Sequence, residues 1–246
     1  MELGLKGKVA LITGASKGLG KAIAEEFAKE GAHVSICARG KEDLERTAAD
    51  LRRHRVKVVA TSADVTRAVD VEQVIAETVK QLGRVDILVN NAGDAWIGHM
   101  VDTTDEQWRY CMEVNLYSAT RFTRGVVPHM RKQGGGRIVN ISTVGGRTPA
   151  GPLLDYNSAK AAMLAFSKTI SFELAADNIL VNSVCPACIH SPLWERLPTR
   201  WSAFWATVAS RSIRTSPIKV SRSSASATTR RSLRWWYSSP RIEPHS

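Results

Sequence analysis

Three glycines, Gly14, Gly18 and Gly20, stand in the turn Thr13-Gly14-Ala15-Ser16-Lys17-Gly18-Leu19-Gly20. The turn joins an apolar run over residues 8–13 to a helically spaced segment over residues 21–29. A strand that feeds a helix through a turn this bare of side chains leaves few folds open. Gly14 permits a tight turn, while Gly18 and Gly20 let backbone and helix approach a diphosphate. The amides of the helix N-terminus would meet its charge. An ordinary strand–helix connection is the plainer alternative, but the flanking strand and helix are the context that a dinucleotide cradle requires.

The same alternation continues down the chain. Short apolar strands are expected at 33–38, 56–61, 85–90, 137–142 and 179–185, and helices at 42–53, 71–81, 105–130 and 156–175. Strands and helices in strict alternation argue for a parallel sheet covered on both faces, with right-handed crossovers. The expected fold is therefore α/β, a Rossmann-type doubly wound parallel sheet in one domain over residues 1–197. The chain of 246 residues is long enough to bury a full core of that kind.

Charge and cysteine usage narrow the class. The formal net charge is +11, but residues 198–246 hold eight arginines and Lys219 against the single acid Glu243. The body is left with a small net charge, which argues against a polyanionic partner. No run of 18 apolar residues suggests a membrane span, and the charged start does not read as a signal peptide. Cys37, Cys111, Cys185 and Cys188 sit in apolar or strand-like contexts, which suits a reducing cytoplasm better than a disulfide framework. The pair in Cys185-Pro186-Ala187-Cys188 has redox spacing but ends a strand instead of opening a helix. His33, His54, His99, His129 and His190 show no ligand spacing, so no metal site is expected.

Tyr156 and Lys160 are spaced Tyr-x-x-x-Lys, which puts both on one face of the helix expected there. A free phenol has a pKa of about 10 and is a poor acid–base catalyst at neutrality. A neighbouring ammonium, with the charge of an oxidised nicotinamide, would lower it.

Together, Gly-x-x-x-Gly-x-Gly, Asn90-Asn91-Ala92-Gly93 and Tyr156-x-x-x-Lys160 resemble the short-chain dehydrogenase/reductase family over roughly residues 5–195. Within it, the body looks most like the 3-oxoacyl-carrier-protein reductase branch. The resemblance implies Tyr156 as general acid/base and Lys160 as its tuning cation and ribose ligand. It implies Asn115 as the residue that holds a water of a proton relay. The family places a substrate-orienting serine 13 residues before the tyrosine; here Thr143 holds that position and Ser142 precedes it. Spacing favours Thr143 and residue type favours Ser142, and either hydroxyl could donate to a carbonyl oxygen.

The resemblance also assigns the cofactor contacts. Gly14, Ser16, Lys17, Gly18, Leu19 and Gly20 would form the diphosphate cradle. Asp64 and Val65 would bracket the adenine, Asn91 with Ala92 and Gly93 would lie by the adenosine ribose, and Ile189 would touch the nicotinamide amide. An acid at the end of the second strand would select NAD(H). This chain has Ala38-Arg39 there and Lys17 in the glycine turn, which favours a 2′-phosphate and hence NADP(H) over NAD(H). Where the family usually has Pro-Gly, Ala187 follows Pro186; at a positive φ an alanine would be strained. The substrate would be a small carbonyl or alcohol, a 3-oxoacyl thioester among the candidates. A homodimer or homotetramer through the two long helices is implied.

After about Leu197 the composition changes. The segment is rich in Ser and Arg and holds Trp201, Trp205, Trp235 and Trp236. One explanation is a native, disordered basic tail, with nucleic-acid binding as a variant of it. The genetic code offers another. When each triplet is built from the third base of one codon and the first two of the next, Trp235-Trp236 and Trp236-Tyr237 must both encode Val. Phe204-Trp205 must then give Leu and Trp205-Ala206 must give Gly. Permitted codons allow ADALVGFLG over 197–206 and DDEEVAAVVVFLA over 227–240. The family continues past this point with a substrate-covering helix, a last strand and a last helix. An out-of-frame tail would remove them, leaving as the alternative function a catalytically impaired nucleotide-binding relative.

Overall fold

In the computed structural model, residues 3–149 and 151–187 are described. The expectations placed on Ile189, on Cys188, on the boundary at 197 and on the basic tail lie outside the described residues.

Among the described residues, six strands form one parallel sheet: β1 (Val9–Thr13), β2 (His33–Ala38), β3 (Val58–Ser62), β4 (Ile87–Asn90), β5 (Gly136–Ile141) and β6 (Ile179–Val184). The order is β3-β2-β1-β4-β5-β6. From β1 the chain winds outward to β3, then returns to the middle and winds the other way. The adjacent strands β1 and β4 thus flank the switch point, where doubly wound sheets bind ligands.

Alternation along each strand divides two cores. Ala10, Ile12, Val34, Ile36, Ile87 and Val89 pack under α1 (Gly18–Lys29) and α2 (Lys41–Arg52). Leu11, Leu88, Ile138 and Ile179 turn to the other face, under α3 (Ala68–Leu82), α5 (Ser118–Lys132) and the end of α7 (Leu154–Glu173). Strands buried on both faces read as continuous apolar runs, which is why β1 and β4 are so plain in the sequence. Phe122, 1% exposed, is the largest fully buried side chain among the described residues.

The long helix expected over 105–130 is broken into two. Helix α4 (Asp105–Met112) opens with a capping box between Thr104 and Gln107. A π-helical turn (Glu113–Tyr117) then leads into α5. The extra residue in such a turn rotates the helix face, a feature frequent at functional sites. Here it carries Asn115, whose Nδ2 donates to the Cys111 carbonyl at 3.0 Å. A short helix, α6 (Val144–Arg147), sits between β5 and α7.

Replacing Phe122 by alanine should remove the central filler between α5 and the sheet. We expect a loss of about 3–5 kcal/mol in urea unfolding.

Candidate active site

The C-terminal ends of β1 and β4 are tied by one hydroxyl. Thr13 Oγ1 accepts from the backbone N–H of Asn91 at 3.0 Å and of Ala92 at 2.9 Å. The Asn91 amide donates back to the carbonyls of Thr13 at 2.9 Å and Gly14 at 3.1 Å. The glycines are needed for this fit. Gly14 has φ +65, and a Cβ there would lie 2.8 Å from Ala92 Cα. A Cβ on Gly20 would lie 2.5 Å from Asn91 Nδ2. Gly18, φ 56, opens α1 after Lys17, and no side chain caps the helix. Its first amides are therefore left for an anion. Ser16 is held by its carbonyl, which accepts from Thr47 Oγ1 at 2.9 Å. Leu19 packs with the α1/α2 core.

Around this cradle stand the residues expected on the adenine side. Lys17 is exposed and ion-paired with Asp43, which also takes Arg46. Arg39 Nη1 donates to the Tyr110 hydroxyl at 3.1 Å. Asp64 Oδ1 accepts from the N–H of Thr66 at 3.0 Å and from its hydroxyl at 2.8 Å. Burial opposes ionisation of Asp64, but the Thr66 bonds and the charges of Arg39 and Arg67 hold its pKa below the usual value. Val65 is buried beside it.

Helix α7 carries the tyrosine and lysine. Lys160 is 2% exposed, and its Nζ donates to the Ile141 carbonyl at 2.8 Å. The ammonium lies 5.7 Å from the Tyr156 ring centroid. Burial draws Lys160 down to about 8, partly countered by Cys111. Tyr156 is pushed up to about 12, by burial first and then by Cys111. Lys160 alone does not lower the tyrosine; the expected depression also counts on the charge of an oxidised nicotinamide. Burial outweighs a lysine whose ammonium is turned toward Ile141, and that same burial weakens the lysine's hold on its own proton.

Gly93 occupies the gap between the lysine and the asparagine. A Cβ on it would lie 2.7 Å from Asn115 Oδ1 and 3.5 Å from Lys160 Nζ. Asn115 is fully buried, and its Nδ2 also donates to the Asp94 carbonyl at 2.7 Å. Its Oδ1 has no partner among the described residues. An open gap lined by an orphaned acceptor and an ammonium fits a polar group or a water bridging the two.

The two candidate hydroxyls separate. Ser142 is 3% exposed and donates its proton to the Lys160 carbonyl at 3.0 Å. Thr143 is half-buried at the N-cap of α6, where Oγ1 accepts from the Gly145 N–H at 3.3 Å. Among the described residues its own proton has no acceptor. Ala187 is unstrained, since Arg55 and Asn178 alone among described non-glycine residues have positive φ. Sequence reasoning missed Thr13, which only its place before Gly14 could have flagged. It also missed Asp43 and Tyr110, which the fold brings to Lys17 and Arg39 from other elements.

A strand–glycine turn–helix cradle at the switch point, facing a buried lysine and its tyrosine, defines a nucleotide-dependent oxidoreductase site. Comparison with known proteins gives the family. The short chain dehydrogenase family model matches residues 8–200, and the chain belongs to that family. It is an oxidoreductase acting on C=O or CH–OH groups with a nicotinamide cofactor. It is 40% identical over 188 residues to the dehydrogenase/reductase SDR family member 4 of Sus scrofa, covering 76% of this chain and 67% of that protein. L-sorbose reductase from Gluconobacter frateurii, solved with NADPH and L-sorbose, is 37% identical with a TM-score of 0.78, covering 86% of this chain and 84% of that one. The 3-ketoacyl-(acyl-carrier-protein) reductase from Brucella melitensis, solved with NADH, is 33% identical with a TM-score of 0.74, covering 78% and 79%.

The depressed lysine has a pH signature. Lys160 titrates at about 8 when folded, against 10.5 for an ordinary lysine. Between those values the unfolded chain binds the extra proton, so this group makes stability rise with pH across that window. Lys160→Met should flatten that rise in urea midpoints taken at pH 7, 8, 9 and 10.

Proposed function

We propose that the chain is an NADP(H)-dependent reductase or dehydrogenase of a ketone and its secondary alcohol, with a 3-oxoacyl thioester as the leading substrate class. The nicotinamide, when bound, supplies or accepts the hydride. Tyr156 gives a proton to the carbonyl oxygen or takes it from the alcohol. Thr143, not Ser142, donates the orienting hydrogen bond, because the Ser142 proton is committed to the Lys160 carbonyl. Lys160 binds the ribose hydroxyls and stabilises the ionised phenol. Asn115 keeps an acceptor aimed at the gap beside Lys160, suited to a water that returns the proton to the tyrosine. The observation that carries this reading is the buried Lys160, one turn from Tyr156 and across the Gly93 gap from the Asn115 acceptor.

The NADP(H) preference rests on Arg39, because Asp43 already answers Lys17. The absence of a carboxylate directly after β2 leaves Arg39 to meet a 2′-phosphate. The 3-oxoacyl reading is supported by the Brucella melitensis structure, and the sorbose reductase keeps a polyol ketone in view. Tyr117, exposed at the π turn, and Phe172, exposed on α7, support a homodimer or homotetramer through the segments 105–130 and 156–175. The unpaired thiols Cys37, Cys111 and Cys185 support a cytoplasmic setting.

Measured separately, NADPH affinity and turnover distinguish an enzyme from an impaired nucleotide binder. Tyr156→Phe should lower kcat by about 100-fold or more while leaving the NADPH Kd within a few-fold. Loss of NADPH binding in that variant, or unchanged turnover, would overturn the assignment. Thr143→Ala should lose most of the activity and Thr143→Ser should restore it. Arg39→Asp should weaken NADPH relative to NADH by about tenfold or more.

A further inference from the structure

One buried carboxylate reaches toward both arms of the proton path. Asp155, 2% exposed, stands in the first turn of α7, directly before Tyr156. Its Oδ1 accepts from the Tyr156 N–H at 2.7 Å. Its Oδ2 is buried and has no hydrogen-bond partner among the described residues. Burial raises the Asp155 pKa, while the Tyr156 N–H and then the Cys111 thiol oppose the rise. The thiol thus faces the carboxylate from the end of α4. A turn of its S–H gives the orphaned oxygen a donor.

Cys111, 4% exposed, lies one helical turn before Asn115. Its Sγ is 3.3 Å from Asn115 Nδ2, and its carbonyl accepts from the same nitrogen at 3.0 Å. The Asp94 carbonyl accepts there too, at 2.7 Å. Nδ2 is therefore met by acceptors when the sulfur presents a lone pair to it. A thiol that gives its proton to Asp155 does so. A thiol proton aimed at Asn115 would set two donors against each other. With the nitrogen held in this way, Oδ1 keeps its place on the Gly93 gap beside Lys160. Burial first, and then Asp155, pushes the Cys111 thiol up to about 12, so it keeps the proton it donates.

We propose that Asp155 and Cys111 are positioning residues for the reaction: through the sulfur they fix the Asn115 amide, and through Oδ1 the backbone of Tyr156, so that one carboxylate holds both ends of the proton relay. Their role rests on the relay proposed above for Asn115. A capping acid at the start of α7 would bond the Tyr156 N–H equally well without burial and without Cys111. Asp155→Asn separates the two roles, because it keeps an oxygen for the Tyr156 N–H but turns an N–H toward the sulfur.

The test is a set of double-mutant cycles on the full chain, with kcat and KM for acetoacetyl-CoA and the NADPH Kd measured in parallel. Cys111→Val and Asp155→Asn should each lower kcat by about tenfold, the loss of one well-placed hydrogen bond, while KM and the NADPH Kd stay within about threefold. Cys111→Ser, whose hydroxyl can donate to Asp155 and accept from Asn115, should recover most of kcat. Cys111→Val should add no further loss to Asp155→Asn or to Asn115→Ala. Additive losses would overturn the proposal and leave the Asn115 role standing. Undiminished kcat in Asn115→Ala would instead remove the relay itself, and the positioning pair with it. A second readout needs no turnover. Hydrogen exchange of the Asn115 side-chain amide, followed by NMR, should quicken by about tenfold or more in Cys111→Val and Asp155→Asn, but not in Cys111→Ser. Unchanged exchange in the first two variants would overturn the proposal whatever the kinetics.

Discussion

The Thr13 hydroxyl holds the site together. It accepts two backbone N–H groups from the segment after β4, and the Asn91 amide returns two bonds to the end of β1. These bonds lie just beyond the β1–β4 ladder, where the chain reverses its direction of winding. They make the glycine turn, the start of α1 and the Asn91–Gly93 segment one rigid body. The close approach leaves no space for Cβ atoms at Gly14 and Gly20. The cradle is thus shaped by packing between two strand ends before any ligand arrives, which lowers the ordering cost of binding.

The opposite wall is built on a buried cation. An ammonium removed from water is expensive unless hydrogen-bonded, and Lys160 is answered by the Ile141 carbonyl. Its own backbone carbonyl is held by Ser142, so one short stretch of β5 and its exit fixes the lysine at both ends. The π turn brings Asn115 to the far side of the same gap. A tyrosine raised and a lysine lowered by burial are poised for a partner charge. A cationic ring placed there would favour the ionised phenol, while hydroxyls accepting from the ammonium would favour the charged lysine against that ring.

Much of this was legible because its signals are local. Gly14, Gly18 and Gly20 announce the turn, and apolar runs mark strands buried on both faces. The Tyr156–Lys160 spacing places two side chains on one helix face. What the sequence hid depends on contacts between distant elements. Nothing near Thr13 reveals that it will cap β4, and nothing in 105–130 reveals a π turn, because its apolar spacing suits an unbroken helix. Ser142 and Thr143 have the same chemistry on paper. Their difference lies in their partners, since Ser142 spends its proton on the Lys160 carbonyl. Asp43 likewise alters the meaning of Lys17, a cation that spacing alone would have assigned wholly to the cofactor.

Among the described residues β6 is the outer strand of the sheet, and the Ser142–Thr143 segment hangs on it. The Ser142 N–H donates to the Val184 carbonyl at 2.8 Å, and the Val144 N–H to the Pro186 carbonyl at 3.1 Å. The strip that carries Ser142 and Thr143 is therefore anchored on the outer strand, not on the buried middle of the sheet. An edge strand with half-exposed aliphatics opens more readily than a central one, because fewer buried contacts oppose its fraying. Each opening of β6 would release the backbone that sets the Thr143 hydroxyl and, through Ser142, one end of Lys160. The cradle at β1 and β4 has no such dependence, since it is flanked by paired strands on both sides. Loosening of β6 should thus reach the Ser142–Thr143 segment before it reaches the glycine cradle.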